Sequence, residues 1–395
     1  MRKVTLVVML AGLALLGALP ALAALAPQAP EGFTSLFTGQ DLTGWTVQGD
    51  PSWTVEQGEI VCSGAGRGYL VSAGRYADFE LMLEYKISRG GNSGVFMRAS
   101  PASEPHSGFE VQVLDSSGQE PSIHTAGAVY DFITPCRDVA RPYSRWNQLF
   151  VRCMDRQVVV VLNGVKVIDA DIDQFPGLAQ RNWYGHLMLQ NHGSRVAYRR
   201  IYLREVTTPN RPIFDGETLT GWQVPSDKWV VKDGTIVCPG GGGGWLLSKK
   251  RYENFVFSLE YDTSGNSGIT IRAAAQGDPA FTGSEIQVLQ DSGQPPDIHS
   301  SASIYGALVP AANTTRPAGQ WNRVVITCRG PHVTVVQNGV RIHDYSVTDP
   351  ALNALEIQAS KLRDRLRAGF VGFQDHGQAV RYRNVRLQEL PAGGW

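Results

Sequence analysis

The chain repeats itself, and that limits its fold more than any other feature. Phe37 to Trp45 reads FTGQDLTGW and Phe214 to Trp222 reads FDGETLTGW. Glu84-Tyr85, then Gly91-Asn92-Ser93-Gly94 and Arg98, return as Glu260-Tyr261, Gly265-Asn266-Ser267-Gly268 and Arg272. Glu110-Val-Gln-Val-Leu returns from Glu285, Ile123-His124 as Ile298-His299, Tyr130 as Tyr305, and Trp146-Asn147 as Trp321-Asn322. Gln190-Asn191-His192-Gly193 meets Gln374-Asp375-His376-Gly377. The offset is 177 residues at Phe37 and 175 at Glu110. A solenoid repeats every 20–50 residues or so, so these are two whole domains. We place them at 27–207 and 208–395, joined near Thr207-Thr208-Pro209-Asn210. Each is large enough to bury its own core.

Both copies read as strands. In Asp78 to Ile87, Phe79, Leu81, Leu83 and Tyr85 fall on one face and Glu80, Met82, Glu84 and Lys86 on the other. Asn163-Gly164 and Asn338-Gly339 each split a β-rich run, the strongest short hairpin signal. With 43 Gly in 395 residues, the expected fold is all-β: a jelly-roll sandwich in each copy. The main helical candidate is Ala351 to Arg367, an insertion in the second copy.

Residues 1–26 carry Arg2 and Lys3, an apolar run from Val4 to Leu19 and small-residue triplets, the layout of a cleaved secretory signal. The expected location is therefore secreted or periplasmic, with no stable membrane insertion after cleavage. Formal net charge is zero, which gives no electrostatic footprint for nucleic acid. Export permits disulfides. Cys62 and Cys153 recur as Cys238 and Cys328, so bridges Cys62–Cys153 and Cys238–Cys328 are one expectation and buried thiols the other, with Cys136 left over. Of nine Trp, the pairs Trp45/Trp222, Trp53/Trp229 and Trp146/Trp321 read as core anchors. Trp183 has no counterpart in the second copy and is a candidate for a groove mouth.

Polar residues at period two inside apolar strands are the functional signal. Along Phe109 to Leu114, Glu110 and Gln112 share a face opposite Phe109, Val111 and Val113. Met188, Gln190 and His192 share another, as do Phe96 and Arg98. A concave face with a carboxylate, an amide, an imidazole and a guanidinium suits sugar hydroxyls. The competing reading is an ordinary solvated outer face. His124 and His299 lie in Gly/Pro-rich loops, where binding and catalytic residues concentrate. Gly90-Gly91-Asn92-Ser93-Gly94 reads as a turn entering a strand, with Gly supplying positive φ.

LFTGQDLTGW, GGNSGVFMR, FEVQVLD, AGAVYDFITP, RWN, LNG and LQNHG together resemble the 3-keto-disaccharide hydrolase domain family, over roughly 31–205 and again 209–390. The resemblance implies a concanavalin A-like, laminin G-like jelly roll acting on glycosides already oxidised to a ketone at sugar C3. Such a ketone acidifies the hydrogen on C2. A base removes it, the enolate expels the C1 aglycone, and water adds to the unsaturated sugar. That chemistry needs a base with a pKa near working pH and a partner for the enolate oxygen. It does not need the paired carboxylates of ordinary glycosidases. For the first copy, His124 or Glu110 is the expected base. Arg98 and Gln112 would hold the enolate or sugar oxygens, and His192 and Tyr130 would donate or orient protons. Gln190 and Asp115 join the substrate-binding set, with Glu285, Gln287, His299, Arg272 and His376 in the second copy. A divalent cation on Glu110, His124 and Asp115 would be workable chemistry. The second copy departs from the pattern: Gln290 follows its strand where the first has Asp115, and Gly306 stands for Asp131. This favours the first copy for catalysis. Two non-enzymatic readings compete: a pair of carbohydrate-binding modules and a laminin G-type adhesion pair.

Overall fold

The computed structural model describes residues 28–50, 52–101, 107–206, 208–355, 357 and 359–391. The leader expected at 1–26 lies outside them. Each copy is an antiparallel sandwich of an eight-stranded and a five-stranded sheet, with the same strand order in both. In the first, the five-stranded sheet runs Trp45–Gly49, Gly68–Tyr76, Gly185–Asn191, Asn92–Ala99, Phe109–Leu114. Its second-copy counterpart runs Trp222–Gln223, Gly244–Ser248, Phe370–Asp375, Asn266–Ala273, Ser284–Leu289. Alternation builds the core: Phe79, Leu81, Leu83 and Tyr85 from one sheet meet Leu70, Val95, Val111 and Leu189 from the other. Both Asn-Gly pairs close tight hairpins, with Asn163 at φ 51° and Gly164 at 82°, and Asn338 at 50° and Gly339 at 83°.

Several expectations give way. The helix expected over Ala351 to Arg367 is only Pro350–Ala354, followed by a short 3-10 turn at Leu362–Asp364. Among the described residues no helix is long and apolar enough to cross a membrane. The cysteines are free thiols, and the sheet explains why. Cys153 lies on Asn147–Met154 and Cys62 on Glu59–Cys62, with Phe79–Ile87 and Val196–Glu205 running between them. Three strand spacings amount to about 14 Å, far beyond a disulfide's reach. Cys238 and Cys328 are separated in the same way by two strands. Four of the six paired Trp are buried, but Trp146 and Trp321 are half-buried and capped by Arg199 at 3.9 Å and Arg383 at 4.1 Å from the ring centroids.

Trp183 lines no groove mouth. It is 2% exposed and sits where the two sandwiches meet. Its backbone N–H donates to Asn384 Oδ1 (2.9 Å). Arg156 from the first copy and Arg323 from the second lie 4.8 and 4.4 Å from its ring centroid. Both guanidinium groups also reach Asp173, at 2.7 and 2.6 Å. Beside this clamp, Asp78 accepts from Arg98 of its own copy (3.3 Å) and from Arg386 of the other. Burial opposes ionisation of Asp78, yet the Arg386 and Arg98 charges outweigh it and hold its carboxyl below the usual range. Removing this shared carboxylate leaves two buried guanidinium groups facing each other. Asp78→Ala should therefore cost roughly 3–5 kcal/mol, read as a lowered urea midpoint for the full chain; an unchanged midpoint would refute the clamp.

Candidate active site

The site is set out by strand register on the outward face of the five-stranded sheet in the first copy. Glu110 pairs with Phe96, Phe96 with Met188, and Met188 with Val71, giving one row. The next row holds Gln112 opposite Gly94, and Gln190 opposite Tyr69. Gly94 has an ordinary strand φ; what matters there is room. A Cβ at Gly94 would stand 1.8 Å from Glu110 Oε1, so the carboxyl lies across the neighbouring strand where only glycine leaves space. The other residues of that motif are equally occupied. Asn92 Oδ1 accepts from Gln112 Nε2 (3.4 Å), and Ser93 turns inward to bond Tyr198 (2.7 Å). The positive φ expected of this turn is present at its first residue, Gly90, ahead of the strand.

The outer edge of the Phe109–Leu114 strand is covered by the loop that follows it. Gly127 N–H donates to Gln112 O (2.9 Å), Gln112 N–H to Ala128 O (3.0 Å), and Tyr130 N–H to Glu110 O (3.0 Å). This brings Tyr130 beside Glu110, and the His124 ring 5.0 Å from the Tyr130 ring. His124 Nε2 lies 2.7 Å from Asp131 Oδ1. Asp131 holds a left-handed backbone, φ 66°, where the second copy has Gly306 at 63°. An Asp held where glycine fits without strain points to a use for its side chain. Burial, with a smaller contribution from Asp131, pushes the Glu110 carboxyl up to about 8. Burial and the nearby Asp131 and Glu110 charges also raise the Tyr130 phenol. Gln112 is 2% exposed with its Oε1 unpartnered, and Gln190 Oε1 is likewise buried without a partner.

Other expected site residues lie elsewhere. Arg98 is fully buried and faces away. Its φ of 54° belongs to a bulge, so Met97 and Arg98 both turn inward, and Arg98 donates to Ala77 O (2.7 Å), Asp155 O (2.8 Å) and Asp78. Arg272 (φ 55°) repeats this by donating to Glu253 O at 2.9 Å. Asp115 ties loops together, accepting from Gly90 N–H (2.8 Å) and Tyr143 N–H (3.2 Å). It does not join Glu110 and His124 around a cation. Among the described residues no three His, Cys, Asp or Glu side chains group to hold a metal. His192 lies four residues, about 13 Å, along the face from the Glu110 row, with Nε2 3.3 Å from Arg67. Partial burial and that cation push its pKa down. His376 is exposed beyond its strand end. In the second copy, Glu285 and Gln287 sit as Glu110 and Gln112 do, and His299 lies 5.2 Å from the Tyr305 ring. Asp131 is a site residue beyond the expected set, and the Tyr130-Asp131 against Tyr305-Gly306 difference is its signal in the sequence. Tyr69 and Arg181, a cation in electrostatic reach of Asp131, also lie beyond the expected set.

Known proteins resemble this chain over one copy at a time. A 3-keto-disaccharide hydrolase of Bacteroides thetaiotaomicron is 29% identical over 226 residues, covering 45% of this chain and 77% of that protein. A solved structure from Parabacteroides distasonis, provisionally named a glycosyl hydrolase, is 26% identical, covers 45% of this chain and 95% of its own, and superposes with a TM-score of 0.40. A carbohydrate-binding module of Bacillus subtilis is 15% identical over 41% of this chain and 96% of its own, at a TM-score of 0.32. The 3-keto-alpha-glucoside-1,2-lyase-like domain model matches residues 32–204 and again 209–388, so the chain belongs to that family, as a tandem pair.

Proposed function

We propose that the chain is an exported enzyme that cleaves 3-keto-glycosides in its first sandwich, by elimination and then hydration. The observation that carries this reading is the His124–Asp131 pair at 2.7 Å, the His124 ring 5.0 Å from that of Tyr130, whose backbone N–H bonds the Glu110 carbonyl and so sets the pair near a carboxyl that burial keeps protonated at neutral pH. Two titratable groups with opposite protonation needs in one site match an acid and a base. Asp131 accepts from His124 Nε2, which fixes the ring and leaves the Nδ1 lone pair to take a proton. That proton comes from sugar C2. The C2–H electrons form the C2=C3 bond of the enolate while negative charge gathers on O3. The neutral Glu110 carboxyl, Gln112 and Tyr130 supply hydrogen bonds to that oxygen. The enolate then re-forms its ketone as the C1–O bond breaks, and the aglycone oxygen leaves with a proton. Water adds across C1=C2, so the net reaction consumes one water and frees the sugar and the aglycone. Export rests on the leader, and the sugar class rests on family and relative.

Following aglycone release from a 3-keto-disaccharide, Glu110→Gln and His124→Ala should each lower kcat by about 10²–10⁴; retained turnover in both would overturn the assignment. With Glu110 acting while protonated, kcat/KM should fall as pH rises through about 8. A rise through the same range would make Glu110 the base instead. Asp131→Gly should leave thermal stability unchanged or raised by up to ~1 kcal/mol, because it relieves a left-handed Asp, while turnover collapses. Full turnover in that variant would show that His124 needs no partner.

A further inference from the structure

We infer that the second sandwich holds a neutral glycosyl unit without cleaving it, a reading that rests on assigning turnover to the first. Its outward face keeps the equipment for sugar and lacks the equipment for proton transfer. Trp245 takes the place of Tyr69: Leu246 beside it points into the core, so the half-buried indole faces outward, opposite Gln374 in register. Gln287 is 3% exposed and donates to Asn266 Oδ1 (3.1 Å). Gln374 Oε1 is buried without a partner. So is Oε1 of Glu285, a residue 2% exposed whose carboxyl lies over Gly268 as Glu110 lies over Gly94. An aromatic plate beside two amides offers apolar contact for a sugar ring's C–H face and paired donors and acceptors for its hydroxyls.

The catalytic side is missing. Gly306 leaves no side chain where Asp131 meets the loop histidine, the nearby Asp297 carboxylate accepts from the His299 backbone N–H (2.7 Å), and the His299 ring stands against Tyr305. The Glu285 end of the face is also closed over. Thr270, which replaces Phe96, donates its hydroxyl to Pro279 O (3.0 Å), the first residue of the short helix Pro279–Thr282. Phe281 of that helix stands 6.1 Å from the Tyr305 ring. Arg365, 4% exposed, crosses above Phe281 and donates to Ala280 O (3.4 Å). A glycosyl unit therefore meets the Trp245 end of the face, away from Tyr305 and His299.

The test titrates the full chain with an unoxidised disaccharide. It has no C3 ketone, so elimination cannot consume it and the binding arm does not depend on the first copy's chemistry. Binding is read by calorimetry and Trp fluorescence, and aglycone release from the 3-keto-disaccharide is measured separately. Trp245→Ala should weaken binding at one site at least tenfold, with turnover unchanged. Glu285→Gln, a near-isosteric change, should also leave turnover unchanged and covers the case in which Trp245→Ala unfolds the domain. Unaltered binding in a folded Trp245→Ala, or turnover falling in Glu285→Gln as it does in Glu110→Gln, would overturn the inference. Loss of the first copy's assignment would appear instead as retained turnover in Glu110→Gln.

Discussion

A carboxyl taken out of water organises the whole site. Glu110 is held on the sheet because Val111 and Val113 must enter the core, and it lies flat because Gly94 on the next strand has no side chain. The loop backbone at 127–130 then occupies the free edge of the strand and keeps solvent from its side. Desolvation raises the proton affinity of the group to about 8, so it is a neutral donor where an exposed glutamate would be an anion. Stability is affected as well. The folded chain keeps a proton that the unfolded chain releases above its ordinary pKa of 4.5, so this carboxyl lowers stability as pH climbs from that value toward 8.

The two copies share this scaffold, and one of their differences is the residue placed at a left-handed turn. At φ 66° and 63° the chain makes the same left-handed turn, with Asp131 in one copy and Gly306 in the other. The aspartate costs strain and sets its carboxylate 2.7 Å from His124 Nε2; the glycine costs none and has no side chain to offer His299. Between the copies, Asp78, Asp173 and Trp183 bind arginines from both sides. The tandem pair is thereby tied together by buried ion pairs rather than strung on a linker.

Where sequence and structure agree, the information was local. Register in FEVQVL puts Glu110 and Gln112 together because strand alternation is a two-residue rule, and the Asn-Gly pairs set their own hairpins. Where they differ, the deciding fact was not local. Arg98 obeys alternation until a bulge turns it inward, and the reward for that turn is Asp78 and two carbonyls distant in sequence. Cys62 and Cys153 recur as a pair, yet sheet order sets two strands between them. Asp131 owes its role to a turn that brings it back to His124, and Trp183 to a partner domain; neither can be read from their neighbours.

The proposed chemistry requires Glu110 to be uncharged at neutral pH, which can be observed without any substrate. Carboxyl-labelled glutamate, followed by ¹³C NMR in the full chain with Glu110→Gln used to assign the resonance, gives its titration directly. A midpoint near the value of about 8 set by its burial is the expected result. Titration in the ordinary carboxylate range would mean the group is already ionised at pH 7, and the acid–base pairing described above would not exist.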